Sequence, residues 1–266
     1  MSEIRAMLSE RGLSPRHRFG QNFLHDHNVL TKLIDAAQLS EGDLVLEVGP
    51  GTGTLTEALL EKGCRVVACE LDRGLGDLVE ERLGDSIQLI RGDCLTKRHL
   101  NEEVARAMGD APWKLVSNLP YQIASPLIVD LMANHPHCEG EFVTIQFEVA
   151  QRLMAEVDSS DWGVLSILTQ RLADVSLIAK VPPTCFWPPP KITSACVSIV
   201  RRETLPPEES ESFAKFVTQL FTKRRKQLGA ILGRDQVLPE GIDPSARPST
   251  LTIAQLESLW VTGLHS

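Results

Sequence analysis

Glu47-Val48-Gly49-Pro50-Gly51-Thr52-Gly53 is a segment of this 266-residue chain built for ligand contact. Its glycines permit a tight turn and close approach of backbone to a bound group. Glu70 follows about 20 residues on, the spacing at which a carboxylate accepts from both hydroxyls of a ribose. A third acid, Asp93, stands in Arg91-Gly92-Asp93-Cys94. Then comes Asn118-Leu119-Pro120-Tyr121. The Asn118 side-chain oxygen and a backbone carbonyl, at Leu119 or Pro120, make two acceptors that fit the two N–H groups of a planar exocyclic amine such as that of adenine. An amine gripped in this way moves towards sp3 geometry and frees its lone pair for an electrophile. Pro120 stiffens the loop, and the Tyr121 ring offers a stacking face for a base.

These groups need a scaffold that brings them to one edge. Leu44–Val48, Arg65–Leu71, Ile87–Ile90, Lys114–Ser117 and Phe142–Phe147 read as short strands. Helices are expected over residues 26–38, with Asp26 as N-cap, and over Thr54–Lys62, Gly74–Leu83, Ser125–Ala133, Val149–Glu156 and 162–173. Gly63 supplies a helix stop, and the segment after Ile90 reads as a polar crossover. Such alternation indicates an α/β fold with a mostly parallel sheet, and the chemical groups fall at its carboxyl edge. Val175–Val181 and Ala195–Val200 read as a late antiparallel pair, joined by a proline-rich link that cannot be helical. Beyond a boundary in Arg201–Glu211, helices are expected over Phe213–Phe221, Arg224–Leu232 and Ile253–Trp260. This divides the chain into residues 1–203 and a small helical domain, 204–266.

Composition is that of an ordinary globular protein, 42% hydrophobic and 23% charged. No apolar run reaches the length of a membrane span, and the N-terminus lacks the apolar core of a signal peptide. The six cysteines show no C-x-x-C spacing, which argues against a zinc or redox site and for reduced structural thiols in a cytoplasmic setting. A net charge of −8 opposes binding to nucleic acid on average. The distribution is less opposed. Arg11–Arg18 holds Arg16, His17 and Arg18 without an acid, and Lys223-Arg224-Arg225-Lys226 is a second basic run.

The turn departs from a dinucleotide fingerprint, because Thr54 stands where the third glycine belongs. With its G-x-G-x-G spacing and the acid two residues upstream, it resembles the first motif of class I methyltransferases. That resemblance implies S-adenosylmethionine as cofactor, with Asp93 accepting from its adenine amine. A nicotinamide or flavin enzyme is the weaker reading. Nearly the whole chain resembles the bacterial small-subunit ribosomal RNA adenine dimethyltransferase family. Phe19-Gly20-Gln21-Asn22-Phe23-Leu24 is similar to the family's N-terminal signature, which covers the cofactor, so Asn22 and Leu24 join Gly49, Gly51, Glu70, Asp93 and Asn118 as implied cofactor contacts. The run 186–194, Phe186-Trp187-Pro188-Pro189-Pro190-Lys191-Ile192-Thr193-Ser194, resembles the family's aromatic–proline loop. This implies an ordered loop, with Phe186 as the second wall of a base pocket opposite Tyr121. Residues 221–228 resemble its basic helix, and Arg247-Pro248 its late turn.

Two positions differ from the pattern. Gln122 stands where asparagine is usual, and Phe147 where lysine is common, which removes a possible phosphate contact. The resemblance implies dimethylation of two adjacent adenines near the 3′ end of small-subunit (16S) rRNA, in a pre-30S particle, by a Rossmann-like monomer. Arg16, Arg18, Lys223, Arg224, Arg225 and Lys226 would contact RNA. The rival readings are a resistance-type large-subunit rRNA methyltransferase, a DNA adenine methyltransferase, for which the chain has little spare length, and a non-catalytic RNA-binding assembly factor.

Overall fold

The structure is a computed structural model that describes residues 2–16, 19–202, 205–233 and 235–263. Helix α1 (Ser2–Glu10), strand β1 (Phe23–Leu24) and helix α2 (His27–Ala36) precede the alternating core. The core runs β2 (Leu44–Val48), α3 (Thr54–Glu61), β3 (Arg65–Glu70), α4 (Arg73–Leu83) and β4 (Ile87–Arg91). A hairpin of β5 (Leu95–Thr96) and β6 (His99–Leu100) and a helix α5 (Glu102–Met108) follow. Then come β7 (Trp113–Asn118), α6 (Ala124–Asn134), β8 (Cys138–Gln146), α7 (Phe147–Leu153) and α8 (Val164–Leu172). β9 (Ala173–Val181), β10 (Phe186–Trp187) and β11 (Ser194–Arg201) lead to α9 (Pro207–Phe221), α10 (Leu228–Leu232) and α11 (Ile253–Val261).

Seven strands form the main sheet in the order β4-β3-β2-β7-β8-β11-β9. The first five are parallel, and β11 runs antiparallel to both β8 and β9. The chain leaves β2 towards β3 on one side and returns to β7 on the other, so the strand order reverses between β2 and β7. Open α/β sheets bind ligands outside the carboxyl ends of strands at such a point. The glycine turn leaves β2 there, and Asn118 ends β7 there.

Local chemistry explains most of the elements. The Asp26 carboxylate caps α2 by accepting from the Val29 N–H at 3.1 Å. Its apolar stripe, Val29, Leu30, Leu33 and Ile34, faces the sheet. Leu33, Leu46, Leu59 and Leu115 are wholly enclosed, and full burial of such a side chain is worth about 1.5–3 kcal/mol.

Several expectations are corrected. The polar crossover contains β5, β6 and α5, which bury Leu100, Val104 and Met108. β8 starts at Cys138, four residues early, and Phe147 opens α7 instead of closing the strand. The surplus strand carries Glu141, fully buried beside the charge of Arg201 and pushed well above the carboxylate range by burial. The run Lys223–Lys226 is a turn, not the start of a helix, which begins only at Leu228. α1 was not foreseen. Its Ile4 and Leu8 pack on Leu75 and Leu78 of α4.

The expected domain boundary at residues 203 and 204 lies outside the described residues. α9 and α11 share an apolar cluster with Trp162 and Ile167, so the C-terminal helices pack directly on the α8 region. Arg171 is held there between Phe213 and Trp260, at 4.1 and 5.4 Å, with Glu257 at 2.7 Å. No helix among the described residues is long and apolar enough to cross a membrane. All six cysteines are free and buried.

Candidate active site

A cavity opens at the reversal point of the sheet, and most of the expected site residues line it: Asn22, Leu24, Gly49, Gly51, Glu70, Asp93, Asn118, Leu119, Pro120 and Tyr121. Gly49, Gly51 and Gly53 take φ values of 74°, 62° and 84°, which other residues adopt only with strain. A Cβ at Gly51 would also stand 3.0 Å from the Phe23 ring. The turn therefore depends on glycine for both its backbone and its space.

Glu70 lies under this turn. One carboxylate oxygen accepts from the Gly51 N–H at 3.3 Å and the other from the Asp72 N–H at 2.8 Å. Burial raises its pKa to about 7, against those two donors. Glu47, at the floor, is 2% exposed, and its Oε2 has no partner. Burial drives it to about 8, with the neighbouring Glu70 charge adding to the rise. Asp93 is exposed on the rim and accepts from the Leu95 N–H at 3.0 Å.

Asn118 reaches the cavity from the end of β7. Its Nδ2 donates to the Asn22 carbonyl at 2.9 Å, so its oxygen is the atom left for a ligand. In the following loop, the Ile123 N–H donates to the Pro120 carbonyl at 3.1 Å. No donor among the described residues reaches the Leu119 carbonyl. Of the two carbonyls left open by sequence, Leu119 is thus the available acceptor. The Tyr121 hydroxyl meets Ser194 Oγ at 2.6 Å, and Ser194 is fully buried. Burial raises the Tyr121 pKa.

The N-terminal segment lies across one side of the cavity as a strap. Phe23 and Leu24 pair antiparallel with Trp187 and Phe186. Asp72, 4% exposed, accepts from Gln21 Nε2 at 3.1 Å and pairs with Arg16 at 3.2 Å. The same carboxylate caps α4 through the Gly74 N–H.

Two expectations need revision. Phe186 is 1% exposed, packs with Leu24, Val29 and Val181, and does not line the cavity. Its partner strand turns that ring into the core, so the second wall opposite Tyr121 is absent from this conformation. Arg16, expected to contact RNA, is engaged by Asp72, which leaves its side chain only half exposed. Arg18 lies outside the described residues. Lys223, Arg224, Arg225 and Lys226 line a separate surface depression with Thr222, Ser160 and Ser249. Arg224 differs from its neighbours, because its Nη2 donates to the Ser159 carbonyl at 2.9 Å.

Sequence reasoning missed Asp72, Ser194 and Leu71. Leu71 lines the cavity at 48% exposure, and a large apolar side chain directly after the Glu70 strand end was the available signal. Nothing local marked Ser194, whose partner lies 73 residues away, and the N-cap position of Asp72 before α4 gave no sign of its partners more than 50 residues away.

The sequence model of the family described as Ribosomal RNA adenine dimethylase matches residues 12–257. The Ribosomal RNA small subunit methyltransferase A of Anaeromyxobacter sp. (strain K) is 38% identical, covering 96% of this chain and 95% of its own. In fold, the chain is similar to a dimethyladenosine transferase from Plasmodium falciparum, with a TM-score of 0.72 at 24% identity over 90% of this chain and 96% of that one. It is also similar to the 23S rRNA methyltransferase ErmE, with a TM-score of 0.67 at 26% identity over 90% and 98% of the two chains.

Proposed function

Because this chain belongs to the ribosomal RNA adenine dimethylase family, we propose that it dimethylates the N6 amines of two adjacent adenosines near the 3′ end of small-subunit rRNA, with S-adenosylmethionine as donor. The observation that carries this reading is the pair of acceptors, Asn118 Oδ1 and the Leu119 carbonyl, at the lip of a nucleoside-sized cavity.

The cavity suits that donor. Glu70 and Asp93 both line it, which supports Glu70 as acceptor for the ribose hydroxyls and Asp93 for the adenine amine. Gly49 and Gly51 allow the backbone to approach, and Asn22 and Leu24 form part of the cover. Glu47 keeps an oxygen without a partner at the floor, open to a hydrogen bond from a bound group. When bound, the sulfonium supplies a methyl group already activated for transfer.

The protein's task is therefore orientation, an effect that can contribute several kcal/mol, roughly 7–11 at best. The target adenosine leaves its stack at a cost of roughly a few kcal/mol. Its ring lies on Tyr121, which Ser194 holds in place. Asn118 and Leu119 accept the two N–H groups, so the nitrogen lone pair points into the cavity. In a second round one N–H remains, and one acceptor suffices.

Lys223, Arg225 and Lys226 meet RNA phosphates, with Arg224 partly committed to Ser159. This local patch supplies affinity that a net charge of −8 does not. The natural substrate is a pre-30S particle in the cytoplasm, and the enzyme works as a monomer. The resistance-type reading shares the fold, as the likeness to ErmE makes plain. Incubating undermethylated 30S and 50S particles with labelled donor separates the two. Label in 30S particles, mapped to N6,N6-dimethyladenosine, is expected. Label confined to 50S particles overturns the assignment.

A further inference from the structure

The carboxyl edge of the sheet carries a cation that the proposed chemistry has not used. Phe147 opens α7 just past the end of β8, three residues beyond Thr144. Thr144 pairs with Asn118, and its carbonyl accepts the Leu119 N–H at 3.1 Å. The Phe147 N–H donates to the Thr193 carbonyl at 3.0 Å. Phe147 is thus tied to both the catalytic loop and the aromatic–proline loop.

Lys180 stands on the edge strand β9, opposite Ala195 and beside the Val181–Ser194 pair. Its ammonium lies 4.4 Å from the centroid of the Phe147 ring. The ring face holds a cation in place through its quadrupole without neutralising it. Lys180 is exposed, and no carboxylate among the described residues lies within 4.0 Å of it. Some other cations are spent on acids, as Arg16 is on Asp72 and Lys215 on Glu211. Lys180 is therefore a positioned, unneutralised charge at the carboxyl edge of the sheet, one strand position from the Val181–Ser194 pair. An anionic oxygen is its natural partner, and on an RNA substrate that is a backbone phosphate.

We propose that Lys180, seated on the Phe147 ring, contacts a phosphate of the RNA strand beside the extruded adenosine. This assignment rests on the rRNA reading given above. It also gives position 147 a use: where lysine is common in the resembling family, this chain has an aromatic seat, and the charge comes from the neighbouring strand.

The test measures binding of the full-length protein to undermethylated 30S particles across a salt series. Lys180→Ala should weaken binding about fivefold and reduce the steepness of log K against log salt by about 0.7–0.9, the share of one phosphate. Cofactor affinity and melting temperature should match the parent. Adding Phe147→Lys to Lys180→Ala should restore both affinity and slope, which a merely structural role for Lys180 would not allow. Parental affinity and slope in Lys180→Ala overturn the proposal, as does a loss that Phe147→Lys fails to recover. A parent protein that binds and methylates no 30S particle would instead overturn the rRNA reading itself.

Discussion

The side-chain amide of Asn118 donates through Nδ2 to the backbone carbonyl of Asn22, 2.9 Å away. This bond couples the last residue of β7 to the N-terminal strap, 96 positions earlier in the chain. It also fixes which end of the amide faces the cavity. An amide free to flip would present a donor to the target amine half of the time; with Nδ2 engaged, the acceptor is always presented. Asn22 is itself held, since its own Nδ2 donates to the Gly20 carbonyl at 3.0 Å. The strap thus does more than cover a ligand. It sets the polarity of the group that, on the proposed mechanism, grips the substrate.

Tyr121 and Ser194 should behave as one unit. Ser194→Ala leaves the tyrosine hydroxyl without its 2.6 Å partner, and Tyr121→Phe strands the buried serine. Each single change should cost about 0.5–1.5 kcal/mol of stability, and the double variant should cost less than their sum. Urea unfolding of the four proteins gives the cycle. Strict additivity would mean that the hydrogen bond does not position the ring.

The floor carboxylates predict a pH dependence for the cofactor-free protein. Glu47 and Glu70 have folded pKa values of about 8 and about 7, each raised by burial from 4.5. Between these limits the folded state holds protons that the unfolded chain has released, so stability falls as pH rises. The contribution is complete below pH 4.5 and is lost as pH passes through 7 for Glu70 and 8 for Glu47. Glu47→Gln should flatten the upper part of this decline. Denaturant unfolding from about pH 5 to about pH 9 measures it. Stability that rises over that range contradicts the burial of these two acids.

The basic turn should separate by role. Arg225→Glu should weaken binding to 30S particles and lower the salt slope by about 1, with no change in melting temperature. Arg224→Ala should also lower stability, by about 1 kcal/mol, because it leaves the Ser159 carbonyl without its charged donor. A thermal melt and a salt titration on both variants distinguish the two. Equal melting temperatures would remove the distinction.

Much of this arrangement was legible in the sequence, for local reasons. Asp26 before an apolar stripe marked α2, Gly63 marked the end of α3, and the glycine turn marked the end of β2. The acids Glu70 and Asp93 were legible because Glu70 closes β3 and Asp93 follows the end of β4 by two residues. What stayed hidden depended on distant partners. Glu139-Gly140-Glu141 does not look like strand, yet pairing with both β7 and β11 extends β8 through it. The basic run continued the polar face of a helix on paper. It has no apolar side chain to anchor it until Leu228, and the chain turns instead. Phe186 looked like a pocket wall because its loop resembles one, and only the β1–β10 pairing shows its ring sent to the core.

The most direct test of the mechanism is single-turnover methyl transfer to undermethylated 30S particles by an Asn118→Ala variant, with its melting temperature and cofactor affinity measured alongside. Loss of the oriented acceptor should slow transfer by roughly 10²–10³-fold, the scale seen when one preorganised transition-state hydrogen bond is removed, while the fold and cofactor site persist. Transfer at the parental rate by a folded, cofactor-binding variant would contradict the account.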